Sequence, residues 1–459
     1  MVKKKISKNI RGLKHQARRH SIKEGIFASA KDAFGDRFIA PFAIAINASN
    51  SLVAMLTSIG GLLGPLSQVF SSRLIEKHSR KKIILTAILF RLLMWLALIM
   101  LAVLFYKGIW TTALPLMLLI FFAFYTIFVG VCNPAWFSWI GDIVDAKFRG
   151  RWFSKRNLIM GFVGGIFAVI GSLFLDYFKK NNWLMFGFII LFTLAFIFRL
   201  MSWFTFKKQY EPKIKLKKGY YFSFWDFLKK APKNNFGKFT IFRAFLSFTC
   251  TISGALLAVY LLRYLKFDYL IYMIIIVVGG IFSFFVIELW GKFADKYGNY
   301  KVLSLTTVII PIVPILWVLH PSPIYLILVP SLVSGISWVG FNLAASNFIY
   351  DNVHKQKRGL AISYHSMLCG IGVFLGAGLS ALLIKYLKST FIEPIIMIFI
   401  ISAIARMIIV FWWIPKLKEI QKTQKFKGSK SIKKLLAKEG KHTLLQELHQ
   451  MTSMGKYLH

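Results

Sequence analysis

Long apolar runs alternate with short polar connections along most of this chain. Twelve runs approach the roughly 20 mostly apolar residues that a helix needs to cross a bilayer core. They cover approximately residues 26–48, 50–71, 83–105, 113–140, 153–175, 183–205, 240–262, 268–290, 302–319, 323–348, 361–384 and 392–414. Gly60-Gly61, Gly64-Pro65 and Pro311 fall inside these runs. Membrane helices tolerate such residues because neighbouring groups re-satisfy the backbone. Gly164-Gly165, Gly370, Gly372 and Gly376 would let helices approach closely. The pattern predicts an all-α membrane protein of twelve transmembrane helices.

The runs are duplicated. Asn133-Pro-Ala-Trp-Phe-Ser-Trp-Ile-Gly-Asp142, followed by Arg149-Gly150, returns 209 residues later as Asn342-Leu-Ala-Ala-Ser-Asn-Phe-Ile-Tyr-Asp351, followed by Arg358-Gly359. Each copy leaves one apolar run, crosses a short basic loop and enters the next. Internal repeats of this kind mark transporters built from two pseudo-symmetric halves. The predicted organisation is a basic segment 1–25, a six-helix half 26–205, a connector 206–239, a second six-helix half 240–414 and a basic tail 415–459.

Composition agrees, with 57% hydrophobic residues and 45 Phe in 459 residues. A soluble domain does not carry that balance. The net charge of +42 could suit nucleic-acid binding. Its placement argues against that reading. With both termini inside, the inner segments hold 47 Lys/Arg, the outer loops 7 and the spans 5: Lys31, Arg37, Arg91, Arg199 and Arg406. The positive-inside rule then sets an even number of spans with both ends cytoplasmic in the cell membrane. No apolar stretch with a cleavage site follows the basic start, so the first span itself is expected to direct insertion. Cys132, Cys250 and Cys369 lie singly in different runs and read as packing residues.

The connector opens with Lys207-Lys208 and a basic stretch from Lys213 to Lys218, which anionic lipid headgroups would attract. Residues 220–230 mix aromatic and basic side chains like a helix lying in the interface. In the tail, Ile432, Leu435 and Leu436 have helical spacing, but a solvated segment is the plainer reading.

Two loops carry a family signature. Gly291-Lys-Phe-Ala-Asp295-Lys296-Tyr-Gly298 lies between runs eight and nine, and resembles the major facilitator superfamily signature Gly-x-x-x-Asp-Arg/Lys-x-Gly. Ser72-Arg-Leu-Ile-Glu76-Lys77-His-Ser79-Arg80-Lys81-Lys82 is a degenerate copy between runs two and three, with serines for both glycines and Glu76 for the aspartate. The second copy departs at Asn299 and Tyr300, where basic residues are usual. The resemblance spans roughly residues 25–415. It implies that Glu76 contacts the start of span eleven and Asp295 the start of span five, closing the cytoplasmic side. A carboxylate there can cap a facing helix and pair with arginines. The plainer role of both loops is insertion and orientation.

Asp142 and Asp351 stand seven residues before Arg149 and Arg358, while Arg199 and Arg406 correspond in spans six and twelve. Buried arginines are expensive unless paired. Structural ion pairs of Asp142 with Arg199 and of Asp351 with Arg406 are therefore expected, and Arg91 is expected to snorkel. In span one, Asp32 and Asp36 share a face at i, i+4, and Arg37 points about 100° away. Asp36 falls near the midplane, where an ionisable side chain is a functional hypothesis by default. The resemblance implies that span one lines the cavity and carries a coupling or substrate-binding carboxylate. The plainer reading is an Asp36–Arg37 or interhelical pair. Glu288 and His365 are weaker candidates. Thr249, Thr251 and Ser253 are expected on the cavity side of span seven.

No Walker loop, metal-binding motif or selectivity filter is present, so neither an enzyme, a cofactor nor a channel is indicated. The expected function is a secondary transporter, acting as a monomer on a small organic solute by alternating access, with protons as the candidate coupling ion. The alternative is a binding or lipid-handling protein on the same scaffold. Few cavity cations disfavour a dianion such as phosphate.

Overall fold

A computed structural model describes residues 2–145, 149–212, 223–354, 358–388, 391–420 and 423–424. The basic stretch 213–218 and the tail residues Ile432, Leu435 and Leu436 lie outside them, as do the side chains of Glu76 and Arg149.

The described residues form helices and no strand. In chain order these are α1 Val2–Phe34, α2 Ile39–Ala45, α3 Asn50–Lys77, α4 Arg80–Tyr106, α5 Leu114–Ile143, α6 Arg149–Lys180 and α7 Leu184–Lys208. After the short α8 (Phe224–Lys230) come α9 Asn235–Gly254, α10 Leu257–Val259 and α11 Tyr269–Tyr297. The series ends with α12 Asn299–Ile309, α13 Val313–Leu319, α14 Pro323–Leu326, α15 Leu332–Asn352, α16 Arg358–Tyr386 and α17 Pro394–Trp413. Several predicted runs are thus broken helices. Span seven is α9, α10 and a π-turn at Tyr260–Tyr264. Span nine bends between α12 and α13 at Pro311, and span ten carries a π-turn around Pro330. A proline removes one backbone donor and crowds the preceding turn, which accounts for the last two.

Eleven of the twelve spans are long and apolar enough to cross a bilayer. Span one is the exception, because α1 stops at Phe34 and its last turn is charged. Helix starts follow local chemistry. Ser49 accepts from Leu52 N at 3.2 Å and Ser79 from Lys82 N at 3.2 Å. Ser223 and Asp226 form a reciprocal capping box on α8. The Ser223 hydroxyl and backbone hold the Asp226 carboxyl below the usual carboxylate range.

The described chain divides into two compact units. The first joins residues 1–219 to 247–274 and 363–398. Within it α1 packs on α6 and α7, and α4 lies between α5 and α7. Ile84, Ile88, Trp139 and Ile143 fill the seam between α4 and α5. The second unit joins residues 220–246 to 275–362 and 399–459. There α12 packs on α15, Phe239 meets Phe348 at 5.0 Å, and Arg243 lies over the Phe341 ring at 4.7 Å.

Candidate functional site

Span one breaks where its charges gather. A Cβ at Gly35 would fall 2.3 Å from the Trp95 ring, so the indole occupies the space a larger residue would need. The chain then turns through a 3-10 segment, Asp36–Phe38, before α2 begins. Broken membrane helices near the midplane are a recurrent place for transporter sites.

Lys31 organises this break. Its ammonium donates to Asp32, to Asp36 Oδ2 at 3.0 Å and to Tyr125 Oη at 3.2 Å. Tyr125 donates to Asp36 Oδ1 at 2.6 Å and accepts from Arg91 Nη2 at 3.0 Å. Lys31 also lies over the Trp95 ring at 5.8 Å. The lysine side chain is 1% exposed, whereas those of Asp32 and Asp36 are 52% and 35% exposed. The two carboxylates therefore meet through Lys31, and Arg37 is not the partner of Asp36. Arg37 is half-buried, within electrostatic reach of Asp32 and Tyr272.

Sequence reasoning missed Lys31, because neighbours at i, i+1 do not normally share a helix face. Lys31 and Asp32 both lie within α1, and the length of the lysine side chain lets its ammonium reach both aspartates. Arg91 does not snorkel. It is 8% exposed and held on Tyr125, over whose ring it sits at 5.0 Å.

The expected ion pairs are rearranged. Asp142 binds Arg80 Nη1 at 2.6 Å rather than Arg199, since Arg80 enters α4 fully buried beside the end of α5. The same guanidinium reaches Ser138 and the Pro212 carbonyl, and Glu211 accepts from Arg80 N at 2.9 Å. Arg199 instead donates to Ser202, which donates to Glu24 Oε1 at 3.0 Å. Glu24 also pairs with Arg156 at 3.4 Å. In the second unit, Asp351 accepts from Asn299 Nδ2 at 2.9 Å and Arg406 donates to the Ile310 carbonyl. Arg358 closes the end of α15 through the carbonyls of Tyr350 and Val353.

At the second signature loop, Gly298 adopts φ +94°, a conformation that favours glycine. Glu419 then accepts from Tyr300 N at 2.8 Å, and a Cβ on Gly298 would collide with that carboxylate. Asp295 is exposed, Gly291 and Lys296 are half-buried, and the Lys296 carbonyl accepts from Gln424 N. Glu288 pairs with Lys292, and His365 contacts Cys369 one turn away. Thr249 and Ser253 are buried, while Thr251 bonds carbonyls of its own helix and of Val373.

A further set of contacts joins the sequence halves inside the first unit. Arg263 donates to Ala48 O at 2.9 Å, to Ile44 O and to Asn50. Ser51 donates to Ala381 O and Ser58 to Phe374 O, each at 2.8 Å. A Cβ on Gly370 would lie 2.4 Å from Gly61 O, so α3 and α16 touch backbone to backbone there. The Asp176 carboxylate accepts from Tyr269 N and Leu270 N, both at 2.8 Å, capping α11. Lys179 and Asp268 pair beside it at 3.0 Å. Spans one, two and five are thereby tied to spans seven, eleven and eight.

The family model of the Major Facilitator Superfamily matches residues 26–347 and, in a second match, 239–449. The chain belongs to this superfamily. It is an all-α membrane transporter, not an enzyme. No curated protein matches it. Among solved structures it resembles the nucleoside transporter NupG, with 17% identity, a TM-score of 0.64, and coverage of 88% of this chain and 100% of that one. It also resembles a bacterial homologue of the iron transporter ferroportin in its inward-facing state, with 14% identity, a TM-score of 0.62, and coverage of 87% and 98%. A POT family peptide transporter shares 10% identity with a TM-score of 0.63, covering 90% of this chain and 99% of that one. These likenesses concern the fold.

Proposed function

We propose that this chain carries a small organic solute across the cell membrane by alternating access, as a monomer with both termini cytoplasmic and protons as the coupling ion. One observation carries the reading. The ties between the two sequence halves within the first unit are hydrogen bonds, one exposed ion pair and one close glycine approach, most of them toward the helix ends away from the 206–239 connector. Such contacts can be exchanged for water without leaving a buried charge unpaired, which suits a gate that opens. The charge asymmetry of the loops assigns that end to the outside. The Lys31–Asp32–Asp36 break is the proposed solute and coupling site, and the carboxylates of the two signature loops act on the inner gate.

Solute counterflow in proteoliposomes tests the function. A preloaded solute should drive uptake of its labelled form without any ion gradient. Binding without counterflow would make the protein a membrane receptor or lipid-handling protein instead. The solved structures it resembles include a nucleoside, a metal and a peptide transporter, so the screen should include all three classes.

A further inference from the structure

Arginine does not shed its proton to survive burial, so a buried guanidinium needs an anion beside it. In the first unit Arg91 on α4 and Arg199 on α7 are 8% and 5% exposed. Their hydrogen-bond partners are neutral hydroxyls. Arg91 Nη2 donates to Tyr125 at 3.0 Å, and Arg199 Nη1 donates to Ser202 at 3.2 Å. Among the described residues, the Nε–H of each arginine is buried without an acceptor. So is the indole N–H of Trp95, one turn from Arg91 on the same face of α4.

The nearby carboxylates are already engaged. Asp32 and Asp36 hold Lys31, and Glu24 holds Arg156 at 3.4 Å. Arg37 adds a further cation beside Asp32. The cluster thus sets five cations (Lys31, Arg37, Arg91, Arg156 and Arg199) against three carboxylates (Glu24, Asp32 and Asp36). Asp32, Asp36 and Arg37 are partly open to solvent, so water screens that end. The excess that water does not reach is Arg91 and Arg199.

These two also act on each other. The charge felt most strongly by Arg199 is Arg91, ahead of Glu24. The buried Cys132 on α5 lies within electrostatic reach of both guanidiniums. The arginines therefore meet between α4, α5 and α7, beside Tyr125 and Cys132. Like charges inside a membrane bundle are costly, and one anion between them turns repulsion into two attractions. The free donor atoms are sealed from solvent, which suits a monatomic anion rather than the carboxylate of a bulky solute.

We propose that Arg91 and Arg199 hold a small monovalent anion of the halide class, in practice chloride, as a resident counter-ion of the first bundle. It accepts from the two Nε–H groups and leaves Tyr125 and Ser202 on the bonds they already make. Such a site requires only the bundle, whether or not the chain is a carrier.

The melting temperature of the purified full chain, taken in chloride and in gluconate at equal ionic strength, tests the site. Chloride or bromide at about 100 mM should raise it by about 4 °C or more over gluconate, because a ligand of the folded state stabilises it. Arg199→Gln and Arg91→Gln should each raise the chloride concentration for half the effect by about tenfold or more. Sulfate, which stabilises by exclusion from the surface, should shift wild type and variants alike. In crystals grown with bromide, an anomalous peak should fall between the two guanidiniums.

Equal melting of the wild type in chloride and gluconate overturns the proposal. So does a folded variant with an undiminished chloride response, or bromide peaks found only elsewhere. If neither variant folds, the bromide position decides. A halide effect of the expected size in a chain that shows no counterflow supports the anion site and removes only the carrier reading.

Discussion

Glu211 and Glu419 occupy the same place in the two repeats, each three residues beyond the last helical turn of its half. Each accepts from the first turn of a following-loop helix: Glu211 from Arg80 N at the start of α4, Glu419 from Tyr300 N at the start of α12. The correspondence extends further. Asp142 accepts from the Arg80 side chain, and Asp351 accepts from the Asn299 side chain at the equivalent helix start. An anion at a helix N-terminus satisfies free N–H groups and complements the dipole. In both halves, then, the third span is pinned by an aspartate from the fourth span and a glutamate that follows the sixth.

The two caps should differ in weight. Glu419→Ala removes a cap and should cost about 1 kcal/mol. Glu211→Ala also strips one anion from a fully buried arginine and should cost about 3 kcal/mol. Melting temperatures of the purified variants measure the order. Equal shifts would mean that Arg80 draws nothing from Glu211.

The cross-half ties should hold the outer end shut. Asp176→Asn weakens the cap on α11, and Arg263→Ala frees the carbonyls at the end of span one. Either variant should speed alkylation of an Ala54→Cys reporter, which is fully buried near the outer end of α3, by an impermeant reagent from outside. Gly370→Val should have the same effect, because its side chain would meet Gly61 O and Pro65. Labelling at the parent rate in all three variants would remove these contacts from the gate.

Proton coupling has its own test. Asp36 is held by Lys31 and Tyr125, so Asp36→Asn removes its charge without emptying the space. Gradient-driven accumulation should be lost while exchange of solute between the two sides persists. Accumulation at the wild-type level would exclude Asp36 from coupling.

Topology can be checked at four positions. Cysteines replacing Lys107 and Lys180, both exposed at helix ends, should react with an impermeant thiol reagent in intact cells. Those replacing Lys81 and Tyr300 should react only after lysis. External reaction at the latter pair would invert both halves.

The spans, the duplication and the superfamily were legible in the sequence, because hydrophobic length and loop charge act locally. Partner choice was not. Asp142 was expected with Arg199 on depth alone, yet Arg80 arrives from the adjacent loop with a shorter reach. Glu24 lay just outside the predicted first span and so went unweighed, although it takes up both Arg156 and the Ser202–Arg199 pair. Glu211 and Glu419 stand 208 residues apart, close to the 209-residue offset of the repeat, and that was a readable signal. Lys31 could not be read, because its place between the two aspartates goes with the turn at Gly35, against which the Trp95 ring packs from sixty residues away in the chain.

That break divides span one by allegiance. Up to Phe34 the chain is a rod of 33 residues, about 50 Å long, lying along α6 and α7. Beyond it, α2 lies against α3 and α10, among the segments that tie the two halves together. A movement that carries α2 off with α10 while the rod stays with its bundle must be absorbed between Gly35 and Phe38. Those few residues hold Asp36 on Lys31. Filling the site and releasing the far seal are thus events on one short piece of backbone, and neither can proceed in ignorance of the other.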